Sequence, residues 1–175
     1  MADTEIDDER IAAVCSVLHE HHVDFIVIGG VAARLHDTGH ATVDIDICPA
    51  TVDENLERLA AALRSIDVRL RVEGEPAGIP FDPHPTQLRQ MSTLTLLTSH
   101  GPLDLCFSPA GFADGFESLH PGQVVVVVSG IDVPVASLAD VVRSKRAAGR
   151  PKDIVALPAL EARLRDQARG EGGDR

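Results

Sequence analysis

Residues Asp24–Pro49 read DFIVIGGVAARLHDTGHATVDIDICP. Phe25–Ile28 is a continuous apolar run of strand length, the pattern of a strand covered on both faces. Gly29-Gly30 ends it, and glycine admits both positive φ and a close backbone approach to a ligand. Val31–His36 then reads as one or two helical turns. Their free N–H groups point back at the glycines and form an anion site. Val43–Cys48 alternates: Ile45 and Ile47 point one way, Asp44, Asp46 and Cys48 the other. The strand rise puts the two carboxylates within about 7 Å of each other. Such a pair repels itself, and a divalent cation relieves the repulsion; magnesium favours carboxylate oxygens together with substrate phosphates. A D-x-D or a G-G alone is common and carries little weight. The order strand–GG–helix–T-x-D-x-D is far more specific.

Upstream, Ile6–His22 predicts a helix with Ile11, Val14, Cys15 and Leu18 as its apolar stripe and acidic residues in its first turn. His19, His21 and His22 are read as imidazoles at the helix end rather than as a metal cluster, since a third ligand on one face is missing. Downstream, Thr51–Glu54 fits a capping box, with Asp53 as the other candidate cap. Leu56, Leu59, Ala60 and Leu63 give the helix that follows its core face. Val68–Val72 predicts a strand. Residues 73–90 carry Pro76, Pro80, Pro83 and Pro85 and read as a surface loop or a substrate-facing flap, with Arg89 meeting either a phosphate or a surface carboxylate. Leu94–Thr98 and Leu103–Phe107 flank a turn and predict a hairpin that carries Asp104. Phe112 and Phe116 suit a helical turn packed on the core. Val124–Val128 and Ile131–Val135 predict a second hairpin, the first strand apolar throughout and expected to be well covered. Ser137 caps a helix that runs to Ala148 and stops at Gly149. A last helix, Ile154–Arg169, is expected to step at Pro158.

These elements predict an α/β (α+β) fold: a mixed, mostly antiparallel sheet with flanking helices and a C-terminal helical extension. Residues 1–136 form the core with its N-terminal helix, 137–169 a helical segment packed on it, and 170–175 a frayed tail. With 175 residues, 44% hydrophobic and 25% charged, the chain suits one globular domain. No apolar run approaches the roughly 20 residues of a membrane span. The acidic start is opposite to a signal peptide, and three unpaired cysteines fit a reducing compartment, so a cytoplasmic location is expected. Cys48 and Cys106 are read as packing residues, because magnesium-type sites avoid thiolates. The net charge of −11 argues against a strongly electrostatic nucleic-acid binder, and the lack of Trp and Tyr leaves base stacking to five phenylalanines. Nine of the 16 Lys and Arg residues nevertheless fall between Arg143 and Arg175.

Gly29-Gly30 followed by Thr42-Val43-Asp44-Ile45-Asp46 resembles the signature of the nucleotidyltransferase superfamily that includes DNA polymerase β. The segment SLADVVRSKRAAGRPKD, with Lys145, Arg150 and Asp153, is similar to the S-K-x-A-x-R-x-K-D stretch of AbiEii-like toxin nucleotidyltransferases. Minimal antibiotic nucleotidyltransferases of the lincosamide type are also similar. The resemblance covers roughly residues 23–160. Many members carry Gly-Ser where this chain has Gly29-Gly30, so here only backbone N–H groups meet a phosphate at that point. The resemblance implies two magnesium ions, or manganese in their place, on Asp44, Asp46 and Asp104, with Lys145 completing the catalytic set. It implies nucleotide contacts from Gly29, Gly30, Val31, Arg34, Thr42, Arg150 and Asp153. The activity implied is transfer of NMP from an NTP to an acceptor hydroxyl with release of pyrophosphate. The acceptor expected first is the tRNA 3′ end, in a toxin–antitoxin setting with a cognate antitoxin protein. A small-molecule (antibiotic) acceptor is the alternative. A catalytically idle fold serving as a binding partner is the third.

Overall fold

The computed structural model describes residues 5–171; the expected frayed tail lies largely outside them. Phe25–Ile28 forms β1, Gly29–Leu35 α2 and Ile45–Pro49 β2, after a first helix α1 (Asp8–Glu20). Asp7 caps α1 by accepting the Arg10 N–H at 2.8 Å, and Ile11, Val14, Cys15 and Leu18 are buried as the spacing predicts. The second strand starts one residue after Asp44, so Asp44 stands at its mouth and Asp46 inside it.

The chain continues as α3 (Asp53–Ser65), β3 (Arg69–Val72), β4 (Glu75–Pro80), α4 (Pro85–Arg89), β5 (Thr93–Thr98) and β6 (Gly101–Cys106). Then follow α5 (Phe116–Leu119), β7 (Val124–Val128), β8 (Ile131–Val135), α6 (Leu138–Ala148) and α7 (Pro151–Glu171). All strands join one eight-stranded sheet in the order β4-β3-β5-β6-β2-β1-β8-β7. The β1–β8 and β2–β6 pairs are parallel and the other pairings antiparallel, the mixed sheet expected.

The centre of that sheet is pinned by a polar clamp. Asn55, fully buried at the start of α3, accepts the Asp24 N–H at 2.7 Å and donates to Asp24 O at 2.9 Å and Ala50 O at 2.8 Å. It therefore ties the entrance of β1 to the exit of β2. A buried amide with its partners satisfied fixes register as well as adding stability.

Three expectations are corrected and one open alternative, at Arg89, is resolved. Residues 73–90 are not an open loop but contain β4 and α4; β4 is an edge strand, where proline's missing N–H faces away from the ladder. Arg89 engages Asp53 and the Thr51 carbonyl, a surface carboxylate rather than a phosphate. The Thr51–Glu54 box does not form: Val52 is the N-cap, with no side-chain cap bond, leaving Thr51 one residue too early. The valine strand β7 is the other edge, with Val125 63% and Val127 67% exposed. An apolar run signals burial only where a neighbour covers it.

The C-terminal helices differ in one boundary. Ser137 caps α6 and Gly149 ends it at φ +61°, as expected. The last helix then starts at Pro151, within two residues, and runs unbroken through Pro158 to Glu171. Leu160 is buried, so packing holds the helix continuous where Pro158 removes a hydrogen bond. Among the described residues no helix is long and apolar enough to cross a membrane.

Candidate active site

The sheet order brings the three candidate carboxylates together. Asp46 and Asp104 lie directly opposite each other in the parallel β2–β6 register, and Ile28, the last residue before the glycines, pairs with Asp46 from the other side. Gly29 sits at φ +64°, and a Cβ there would stand 2.1 Å from the Asp46 Oδ2. Only glycine fits on both counts. A Cβ on Gly30 would stand 2.6 Å from the Thr42 hydroxyl. That hydroxyl donates to Asp44 Oδ1 at 3.2 Å and holds the carboxylate in place. Thus the double glycine, Thr42 and both aspartates of the motif form one packed unit.

Asp46 is electrostatically unbalanced. Burial pushes its carboxyl up to about 7; the Asp44 and Asp104 charges add to the rise, and the Gly30 N–H opposes it. Asp104 is likewise raised by burial, though Arg71 counteracts. Arg71, from β3, donates to both Asp104 oxygens at 2.8 and 2.9 Å and lies 3.6 Å from Asp44 Oδ2.

A second cluster borders the same turn. Asp153, with no exposed surface, accepts from Lys145 Nζ at 3.2 Å and from Arg150 Nε at 2.6 Å. Burial alone would raise its pKa; the hydrogen bonds from Arg150 and Lys145 outweigh that and hold it below the usual carboxylate range. Lys145 is itself buried on α6. These residues line a cavity with Ile28, Gly29 and Phe112. Acids on one side of Gly29 and a cationic group on the other match what a metal-bound polyphosphate asks of a site.

The donor set suits a hard divalent cation. Asp44 and Asp46 offer crowded carboxylate oxygens, and magnesium needs only one or two such groups beside substrate phosphates. Among the described residues no three His, Cys, Asp or Glu side chains form a ready-made cage. The Asp104 oxygens are already occupied by Arg71. The thiols take no part: Cys48 is buried and pushed up to about 12 by that burial, and burial raises Cys106.

No family model and no curated protein sequence matches the chain. Solved structures do. A lincosamide antibiotic adenylyltransferase, LnuA, solved with lincomycin bound, matches with a TM-score of 0.60 at 14% identity, over 90% of this chain and 98% of that one. The fold is that of nucleotidyltransferases. The antibiotic-resistance factor ANT(2'')-Ia shares the nucleotidyltransferase fold at TM-score 0.55 and 15% identity, over 94% of this chain and 93% of its own. So does an antigenic nucleotidyltransferase-like protein from Paracoccidioides brasiliensis, at 0.53 and 15%, over 90% and 78%.

Within this nucleotidyltransferase fold, Asp44, Asp46, Asp104, Gly29, Gly30 and Thr42 converge, and Lys145, Arg150 and Asp153 form the bordering cluster. The Val31 side chain belongs to the core. Arg34 does not reach the acids: its guanidinium donates to Ile6 O at 2.7 Å and pairs with Asp8, binding the N-terminal segment to α2. Two residues at the site went unrecognised in the sequence. Arg71 looks like an ordinary polar position on an alternating strand. His40 packs against Gly30, and its pKa is lowered by burial and by the Lys145 charge. Its place two residues before Thr42 was its only sequence signal.

Proposed function

We propose that the chain is a metal-dependent nucleotidyltransferase that moves NMP from an NTP onto an acceptor hydroxyl, releasing pyrophosphate. The observation that carries this reading is Asp46, a strand carboxylate raised to about 7 among two like charges and packed against Gly29. Asp44 and Asp46 would hold magnesium, and Asp104 would serve the acceptor side. The bound cation would supply charge neutralisation on the polyphosphate and on the attacking and leaving oxygens. The chain's own contribution is positioning. Thr42 orients Asp44, and the side-chain-free Gly29 turn would let a phosphate approach the head of α2. Arg150, with its side chain 61% exposed, offers a charged hydrogen-bond donor at the cavity mouth. Lys145 stays buried on Asp153 and sets the positive potential of that wall.

We take a small molecule as the first acceptor to test, a reading supported by the likeness of the fold to that of a lincosamide antibiotic adenylyltransferase. Five of the nine basic residues between Arg143 and Arg175, the feature favouring tRNA, are engaged within the fold. Arg146 pairs with Glu161, Arg163 with Asp37, Lys145 and Arg150 with Asp153, and Arg143 lies over the Phe112 ring. The test is transfer of label from each α-labelled NTP, with magnesium, to lincosamides and other antibiotics and to total tRNA, beside Asp46→Asn. The expected result is a labelled small molecule that the variant does not make. Labelled tRNA would restore the AbiEii-like toxin reading, and NTP binding without transfer to any acceptor would favour the idle fold.

A further inference from the structure

Arg71 has no part in the reaction just proposed, yet it makes the closest contacts in the acid cluster. A guanidinium normally meets a carboxylate fork to fork, with two nitrogens on two oxygens. Here a single nitrogen, Nη2, takes both Asp104 oxygens, at 2.8 and 2.9 Å, and faces Asp44 Oδ2 at 3.6 Å. One positively charged atom thus stands in the angle between two carboxylates, where an ion bridging them would stand.

The backbone is shaped to deliver it. The β3–β5 ladder ends at Leu70↔Leu96, so Arg71 lies just beyond it. On the β4 side the register shifts at this residue. Leu70 pairs with Ile79 and Val72 with Glu75, so two steps on β3 face four on β4. Bulges of this kind re-aim side chains, and they recur beside active sites. Arg69 clasps the bulge, donating to Ala77 O at 2.5 Å and Gly78 O at 3.0 Å. The Thr95 hydroxyl donates to Arg71 O at 3.4 Å, and Thr95 is the residue opposite Asp104 in the β5–β6 ladder. The side chain is therefore carried across β5 onto β6 by an anchored backbone.

We propose that Arg71 is the resident cation of the Asp44–Asp104 corner, competing with a divalent ion for the same oxygens, so that an ion enters this corner by displacing the guanidinium. The inference rests on the metal-dependent reading above. It divides the two ion positions: the Asp44–Asp46 side takes its ion by simple addition, the Asp104 side by exchange.

The test is manganese binding by titration calorimetry on the full chain, wild type beside Arg71→Ala, with thermal melts at matched manganese. Arg71→Gln, which keeps most of the side chain's bulk, serves as the second variant should the alanine form fold poorly. Removing the competing charge is expected to tighten manganese binding about tenfold. It should also lower the melting temperature in EDTA and enlarge the rise that manganese gives. Wild-type binding with equal or weaker binding in both variants would overturn the inference and leave the proposed function standing. Absence of manganese binding in all three proteins would overturn both.

Discussion

Two aspartates beside the Gly29 turn, Asp46 and Asp153, are treated in opposite ways. Asp153 is wholly buried and fully compensated: one lysine and one arginine meet its two oxygens, and its pKa falls. Asp46 is only partly covered and faces two other acids; desolvation of its carboxyl, and then their charges, raise its pKa to about 7. The same residue type, a short distance apart, is a structural keystone in one cluster and an unbalanced charge in the other. One ion cluster is complete and its neighbour is short of positive charge, and the proposed cation site rests on that difference.

The largest test of this contrast is Asp46→Asn. Transfer should drop to background, because even outer partners of metal ligands typically contribute about 10–100-fold. Far-UV circular dichroism should stay near wild type and the melting temperature in EDTA should not fall, whereas full activity would remove Asp46 from the site. Asp153→Ala should do the reverse and damage the fold first. It leaves the buried Lys145 without its partner, a change that costs about 3–5 kcal/mol in comparable buried pairs, read by urea unfolding.

Next comes pH. Unfolded Asp46 titrates near 3.8 and folded Asp46 near 7, so between these values the folded chain holds the extra proton. In EDTA, stability should therefore fall as pH rises from about 4 to 7 and level off above, by at most about 4 kcal/mol. Magnesium at pH 8 should restore it, and Asp46→Asn should flatten the profile. The smallest effect is expected from Ser137→Ala, which removes the hydroxyl that accepts the Asp140 N–H at 3.1 Å. About 1 kcal/mol of stability should go from the helix that carries Lys145. The Asp46 titration should stay where it is.

The strand–glycine–helix–strand unit was legible because its signals are local: an apolar run, a double glycine and an alternation that exposes two acids. Asp104 was reached through the family resemblance, since nothing local states that β6 lies parallel to β2. The same gap hid Arg71, whose role depends on a β3–β4 register shift and on β5 lying between it and Asp104. It also misplaced the five valines of β7: periodicity reports what a strand could bury against, and topology made this strand an edge. The prolines of 73–90 misled for a related reason, because an edge strand tolerates what a central one does not.

The sheet order also sets a timetable. Asp46 meets Asp104 only when β2 pairs with a strand some 58 residues later in the chain (104 minus 46), and β1 meets β8 through the Val27↔Val135 pair. Contacts this distant in sequence close slowly, after local hairpins such as β5–β6 and β7–β8 have formed. The acid cluster is thus expected to assemble late on refolding. Recovery of cation binding would report the end of folding, well after the recovery of secondary structure.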